Sequence, residues 1–278
     1  MAGDVDLATI RRRYAAQTTD RARRHGFEER RVEVAFATVS REDCLTPPPW
    51  RIFEPGGWSR ETTSDPAKLY DDVLVVLDRK RGINNGQPSL HAAWMIAVAP
   101  APGETVVQIG AGSGYYTAIL AELVGRGGRV EAYEIESDLA ARATENLAPW
   151  PQARVQAVSG LGELPEADVV YVAAGAAAPA VSWLKALRPG GRLVFPWQPA
   201  AGGPSLLVRR MPGGFSVRLM FEVSFIGCVG AEAAAMRMRG MPSRPFDETR
   251  SIRLRSEREP DESATAIYAD LWFSAETI

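Results

Sequence analysis

Cysteine is scarce in this chain: Cys44 and Cys228 stand far apart, outside any C-x-x-C pattern, which excludes a disulfide framework and a thiolate metal site. Histidine is equally rare, with His25 and His91 alone, and no metal is expected. Long apolar runs are missing too. The stretches Ala92 to Ala101 and Val169 to Val181 are broken by Pro or Gly and are too short to span a bilayer, so no membrane partner is expected. Asp4, Asp6 and the Arg11-Arg12-Arg13 run leave no room for the apolar centre of a signal peptide, and a reducing cytoplasm is the expected compartment. A surplus of basic charge is absent as well: the formal net charge is -2, which gives no reason to expect nucleic acid as a partner. No internal repeat is evident.

What is present reads as one α/β domain with extensions. Residues 1 to about 45 are expected to be helical, with Leu7, Ile10 and Tyr14 on an apolar face and arginines on a solvated one. Pro47-Pro48-Pro49 breaks that pattern, and the segment to about Tyr70 reads as a lid-like loop bearing Trp50 and Trp58. Val73 to Leu77 predicts a short strand, Gly82 to Pro88 a turn, and Ser89 to Val98 a helix ended by prolines. From Thr105 strands and helices alternate, the signature of a parallel sheet covered on both faces. Ser205 to Arg210 and Phe215 to Phe225 flank Pro212-Gly213-Gly214 as an antiparallel edge hairpin. Large apolar groups at Tyr268, Leu271, Trp272 and Phe273 argue that the C-terminal extension docks rather than trails in solvent. The expected division is 1–70 as an N-terminal helical and lid segment, 71–230 as a cofactor-binding domain and 231–278 as an extension.

The segment Val106 to Tyr116 runs an apolar strand into Gly110-Ala111-Gly112-Ser113-Gly114 and then a helix. Glycines there let the backbone turn sharply against a ligand, and the helix start offers free amide hydrogens and a partial positive charge. A dinucleotide fingerprint wants glycine where Tyr115 stands, so the loop suits S-adenosyl-L-methionine (SAM) instead. Arg129 to Glu134 is a strand ending in an acid about twenty residues later, which places Glu134 to accept hydrogen bonds from the ribose hydroxyls, with Glu136 second. A third strand ends near Gly160 and Leu161, where adenine is expected against backbone groups because Gly160 stands where many methyltransferases carry an acid. Leu187 to Leu193, with Pro189-Gly190-Gly191, reads as the turn from a helix into the next strand.

On these residues the chain resembles the protein-L-isoaspartate O-methyltransferase family. Arg31 to Asp43 is similar to the family's R-V-x-x-A-[MF]-x-x-V-P-R-E segment, and Gly86-Gln87-Pro88-Ser89-Leu90-His91-Ala92 to its S-Q-P-x-M-x-A loop. The resemblance implies a Rossmann-like SAM-dependent methyltransferase fold: a mostly parallel, doubly wound sheet with an antiparallel edge hairpin and an N-terminal helical cap. It also implies methyl transfer from SAM to a carboxylate of a protein or peptide. A carboxylate is already anionic at neutral pH, so alignment and exclusion of water are the main tasks. Where the family has a serine beside the acceptor, this chain has Gly86; Asn84, Asn85 and Gln87 are the neighbouring candidates for contact with the acceptor. His91 reads as an acid or base, or as a packing residue, and Trp50 and Trp58 as a lid over the peptide or as plain core or surface aromatics. Competing readings are a relative redirected to another carboxylate, a SAM-binding scaffold without catalysis and, more distantly, a dehydrogenase.

Overall fold

The computed structural model describes residues 6–23, 29–54, 60–199, 202–231 and 246–278, so Trp58 lies outside the described residues. The chain forms two compact units, Met1–Glu104 with Ala111–Val158, and Thr105–Gly110 with Ser159–Ile278. The chain passes between them inside the glycine loop.

The first unit opens with α1 (Leu7–Arg23) and α2 (Arg30–Thr38). Tyr14 on α1 and Phe36 on α2 are buried together with Tyr70, Tyr115 and Tyr116, an aromatic cluster with ring centroids 5.0–6.4 Å apart. The expected loop between Pro47 and Tyr70 contains two strands instead, and the expected strand at Val73 to Leu77 joins them in a small sheet. Strands β1 (Trp50–Phe53), β2 (Arg60–Thr63), β3 (Leu74–Asp78) and β4 (Ile83–Asn84) lie in the order β2-β1-β3-β4, all antiparallel. Period-two alternation sends Trp50, Ile52 and Val75 inward against Leu45, Leu69 and Val73. Of the two readings of Trp50 the core one holds, and its indole nitrogen donates to the Thr46 carbonyl oxygen at 2.7 Å.

Helix α3 (Pro88–Val98) begins with proline in its first turn, where no intrahelical N–H is needed, and ends at Ala99 in the left-handed region. It is apolar on every side and correspondingly buried. Strand β5 (Thr105–Ile109) belongs to the second unit. The first continues with α4 (Tyr115–Val124), β6 (Arg129–Tyr133), α5 (Ser137–Asn146) and β7 (Ala153–Gln156), with β6 and β7 paired in parallel.

In the second unit β5 pairs in parallel with β8 (Ala167–Val172), and β8, after α6 (Val181–Ala186), with β9 (Leu187–Pro196). Residues 188–191 loop out between the pairs Ala167↔Leu187 and Val169↔Arg192, so the expected Pro-Gly-Gly turn is a bulge within β9. The expected edge hairpin is β10 (Gly203–Met211) and β11 (Gly214–Val223). The antiparallel edge then runs on through β12 (Ser251–Leu254), β13 (Ala264–Ile267) and β14 (Leu271–Ser274), in the order β13-β14-β12-β11-β10-β9-β8-β5. Phe273 stacks on Trp197 at 4.4 Å, and the Trp197 indole donates to the Tyr268 hydroxyl oxygen at 2.9 Å, which seals the extension into the core. Among the described residues no helix is long and apolar enough to cross a membrane.

Candidate active site

The three loop glycines all adopt positive φ: +81° at Gly110, +57° at Gly112 and +91° at Gly114. Gly114 caps α4, and a Cβ there would meet Ala143 and Leu147 at 3.3 Å, so glycine lets α5 pack close. At Gly112 the neighbour is Leu77 of the β3–β4 hairpin, 3.4 Å from where a Cβ would stand. That hairpin is fixed at its turn by Arg81, whose guanidinium pairs with Asp78, Glu136 and Asp138. Glu136 is thereby engaged with Arg81.

Glu134 is buried just past the end of β6. Its carboxylate accepts from the Gly112 N–H at 2.7 Å and from the Glu136 N–H at 3.0 Å. Burial raises its pKa above the ordinary carboxylate value, while backbone N–H groups of Glu136, Gly112 and Ile135 oppose that rise. A carboxylate accepts only, the chemistry a vicinal diol requires. The buried Ser113 hydroxyl has no partner, while its carbonyl oxygen accepts from Asn146. An orphaned hydroxyl, a positive-φ glycine run and a buried acid fit SAM: Gly112, Ser113 and Glu134 would hold it here, continuous through Ala111 with Gly110.

In the second unit Gly160 is buried beside Ile109. A Cβ there would fall 2.4 Å from the Ile109 Cδ1, and the Gly160 carbonyl oxygen accepts from the Trp183 indole at 2.8 Å. Glycine is thus a packing requirement. Leu161 is half-buried; its N–H donates to the Ser159 hydroxyl at 3.4 Å, and its carbonyl oxygen accepts from Ser182 at 2.9 Å.

The loop Asn84 to Gln87 turns its polar side chains inward. Asn84 Oδ1 accepts from the Gly86 N–H at 2.9 Å. Asn85 is buried, its Oδ1 accepting from the Val75 N–H at 2.8 Å and from Arg41 at 3.4 Å. Gln87 donates to Asp72 at 2.8 Å and to Ser89 at 3.0 Å. Gly86 has φ +78°, and a Cβ on it would lie 2.3 Å from the His91 Nε2. The imidazole occupies the space of the missing side chain. It stacks on Tyr116 at 3.7 Å, and the Tyr116 hydroxyl donates to the Gly86 carbonyl oxygen at 3.1 Å.

Burial, with the Arg41 charge beside it, lowers the His91 pKa from 6.5 to about 3, so the ring is neutral and unsuited to acid-base work near pH 7. Because the unfolded chain takes up this proton first, His91's share of stability is complete above about pH 6.5 and is lost on acidification toward 3. Between about pH 6.5 and 5 the loss is about 2 kcal/mol, at about 1.4 kcal/mol per unit. Denaturant titrations at both pH values check this, and His91→Gln should remove that component.

Arg41, Tyr116 and Leu77 were not legible as site residues, whereas Ser113 lies in the loop that the sequence singles out. Arg41 lies inside the quoted R-V-x-x-A segment, but nothing in its spacing signals burial.

A parallel α/β core, a left-handed glycine loop opening a helix and a buried acid at the following strand's end define a SAM-dependent methyltransferase. The sequence model of the family described as "Protein-L-isoaspartate(D-aspartate) O-methyltransferase (PCMT)" matches residues 60–233. The chain belongs to this family. It is 32% identical over 216 residues to a protein-L-isoaspartate O-methyltransferase of Brucella anthropi, covering 74% of this chain and 96% of that one. A protein of the same name from Aeropyrum pernix is 36% identical over 168 residues, which span 55% of this chain and 63% of the relative's length. In fold it is similar to a solved protein-L-isoaspartate O-methyltransferase, with TM-score 0.67 at 20% identity, covering 95% of this chain and 88% of that one. A putative Plasmodium falciparum homologue in complex with S-adenosyl-L-homocysteine gives 0.60 at 17%, covering 76% and 96%.

Proposed function

We propose that this protein methylates a carboxylate of isoaspartyl type on a protein or peptide. The observation that carries the reading is the β3–β4 hairpin: Leu77 lies against Gly112 of the cofactor loop, while the same hairpin leads directly into Asn84–Gln87. When bound, SAM supplies an electrophilic methyl group on a sulfonium sulfur. The chain's part is to hold acceptor and donor in line and dry. His91, neutral and packed, is no general base at the loop, and a carboxylate nucleophile requires none. Beside Asn84 a cavity of about 270 Å³, lined in part by Arg51, Phe53, Val76 and Arg79, is open to the flanks of a peptide.

A second reading, another carboxylate acceptor, is favoured by Gly86 in place of the family serine and by strands β12–β14, which lie beyond the family match. Incubation with SAM and isoaspartyl, aspartyl and small-acid acceptors separates the two. Preference for the isoaspartyl peptide is the expected result. Turnover confined to another acid would replace the first reading with the second, and SAM binding without any turnover would leave a scaffold.

A further inference from the structure

Arg41 is fully buried and forms no ion pair with any described carboxylate. Its guanidinium donates to the carbonyl oxygens of Leu69, Asp71 and Val73 and to Asn85 Oδ1, while its Nε has no partner. Carbonyl dipoles solvate a buried cation without neutralising it, and such a charge is costly unless an anion completes it. The charged groups around it do not supply one. Asp72 acts on it electrostatically but is bound to Gln87, Ser89 and Arg21, and the tyrosines Tyr14, Tyr115 and Tyr116 have no charge at neutral pH.

Asn85 continues the pattern into the acceptor loop. Because its Oδ1 accepts from the Val75 N–H, the orientation of the amide is fixed, and Nδ2 is left buried with no partner. A chain of polarised groups therefore starts at an uncompensated cation and ends at an unpaired donor beside Gly86. The charge is also felt on α3, where it contributes to keeping His91 neutral.

We propose that Arg41 is a positioning residue for the methyl acceptor: acting through Asn85, it supplies the positive charge that draws and orients the acceptor carboxylate at the Asn84–Gln87 loop. The inference rests on the carboxylate reading above but not on the acceptor's being isoaspartyl. A low-dielectric surrounding extends the reach of such a charge, and the acceptor is the anion the site lacks.

Asn85→Asp in the full chain is the decisive test. The change is isosteric, keeps the acceptor for Val75 and Arg41, and pairs the guanidinium with a carboxylate of the protein's own. Stability should hold or rise, the SAM Kd should stay within about twofold, and KM for an isoaspartyl peptide should rise roughly tenfold or more, with a smaller change in kcat. Asn85→Leu, which ends the relay without adding charge, should raise KM less. A purely structural Arg41 predicts an Asn85→Asp enzyme with the parent KM, and that result overturns the inference alone. A parent enzyme that methylates no carboxylate overturns the functional reading and this inference together.

Discussion

Gly86→Ser, which restores the hydroxyl found in the family's motif, is expected to destabilise the protein by about 3–6 kcal/mol and to lower rather than raise methyl transfer. Two independent costs add. Residue 86 has φ +78°, a conformation that costs a residue with a Cβ about 1–2 kcal/mol. The new Cβ would also lie 2.3 Å from the His91 Nε2, on a ring held between Gly86 and the Tyr116 face, so the ring must leave its 3.7 Å stack. Overpacking of this kind costs about 1–3 kcal/mol and the lost aromatic pair about 1 more. His91→Ala in the same chain removes the obstacle, so the double variant should lose about 2 kcal/mol less than the sum of the single changes. Denaturant unfolding of the four proteins measures that coupling. Additive losses would show that His91 does not dictate glycine at 86.

The same pair shows where sequence reading stops. Gly86 stands out in the loop as a departure from the family motif, and the motif leaves position 91 unspecified. That one residue excludes a side chain on the other is a three-dimensional fact, created when α3 folds back over its own N-terminal loop. The glycine loop and Glu134 were legible because their signals are local: alternating glycines after an apolar strand, and an acid at the next strand's end. Likewise β5, α4 and β6 carry strong periodicity. Of the small sheet only Val73 to Leu77 was legible as a strand. Its strands are short, Pro47-Pro48-Pro49 precedes it, and pairings such as Ile52↔Val75 join residues too distant for a pattern in the sequence. Trp50 stood open between lid and core for the same reason, since its burial depends on Leu69 and Val73 arriving from elsewhere in the chain. Arg41 was hidden in another way, because charge predicts exposure and only the folded chain brings the carbonyl groups of Leu69, Asp71 and Val73 around its guanidinium.

Glu134→Gln is expected to raise the Kd for SAM roughly a hundredfold. In the folded chain the two carboxylate oxygens each receive a backbone N–H, from Gly112 at 2.7 Å and from Glu136 at 3.0 Å. An amide offers one oxygen and one NH2, so one backbone donor would face another donor, and either the glycine loop or the strand end must shift. The variant also loses the negative charge proposed to receive the ribose hydroxyls. Hydrogen bonds to a charged group contribute about 1.5–3 kcal/mol each, and about 2.7 kcal/mol corresponds to the hundredfold loss. Because burial raises the pKa of Glu134, the parent protein should itself bind SAM more weakly as pH falls through that raised value, and the variant should lack this dependence. Glu136→Gln is the control, since it alters a solvent-screened surface pairing with Arg81. Calorimetric titration with SAM at two pH values distinguishes the acids. If Glu134→Gln binds as tightly as the parent while Glu136→Gln does not, the ribose acid is Glu136 and the glycine loop is held by Glu134 for structural reasons alone.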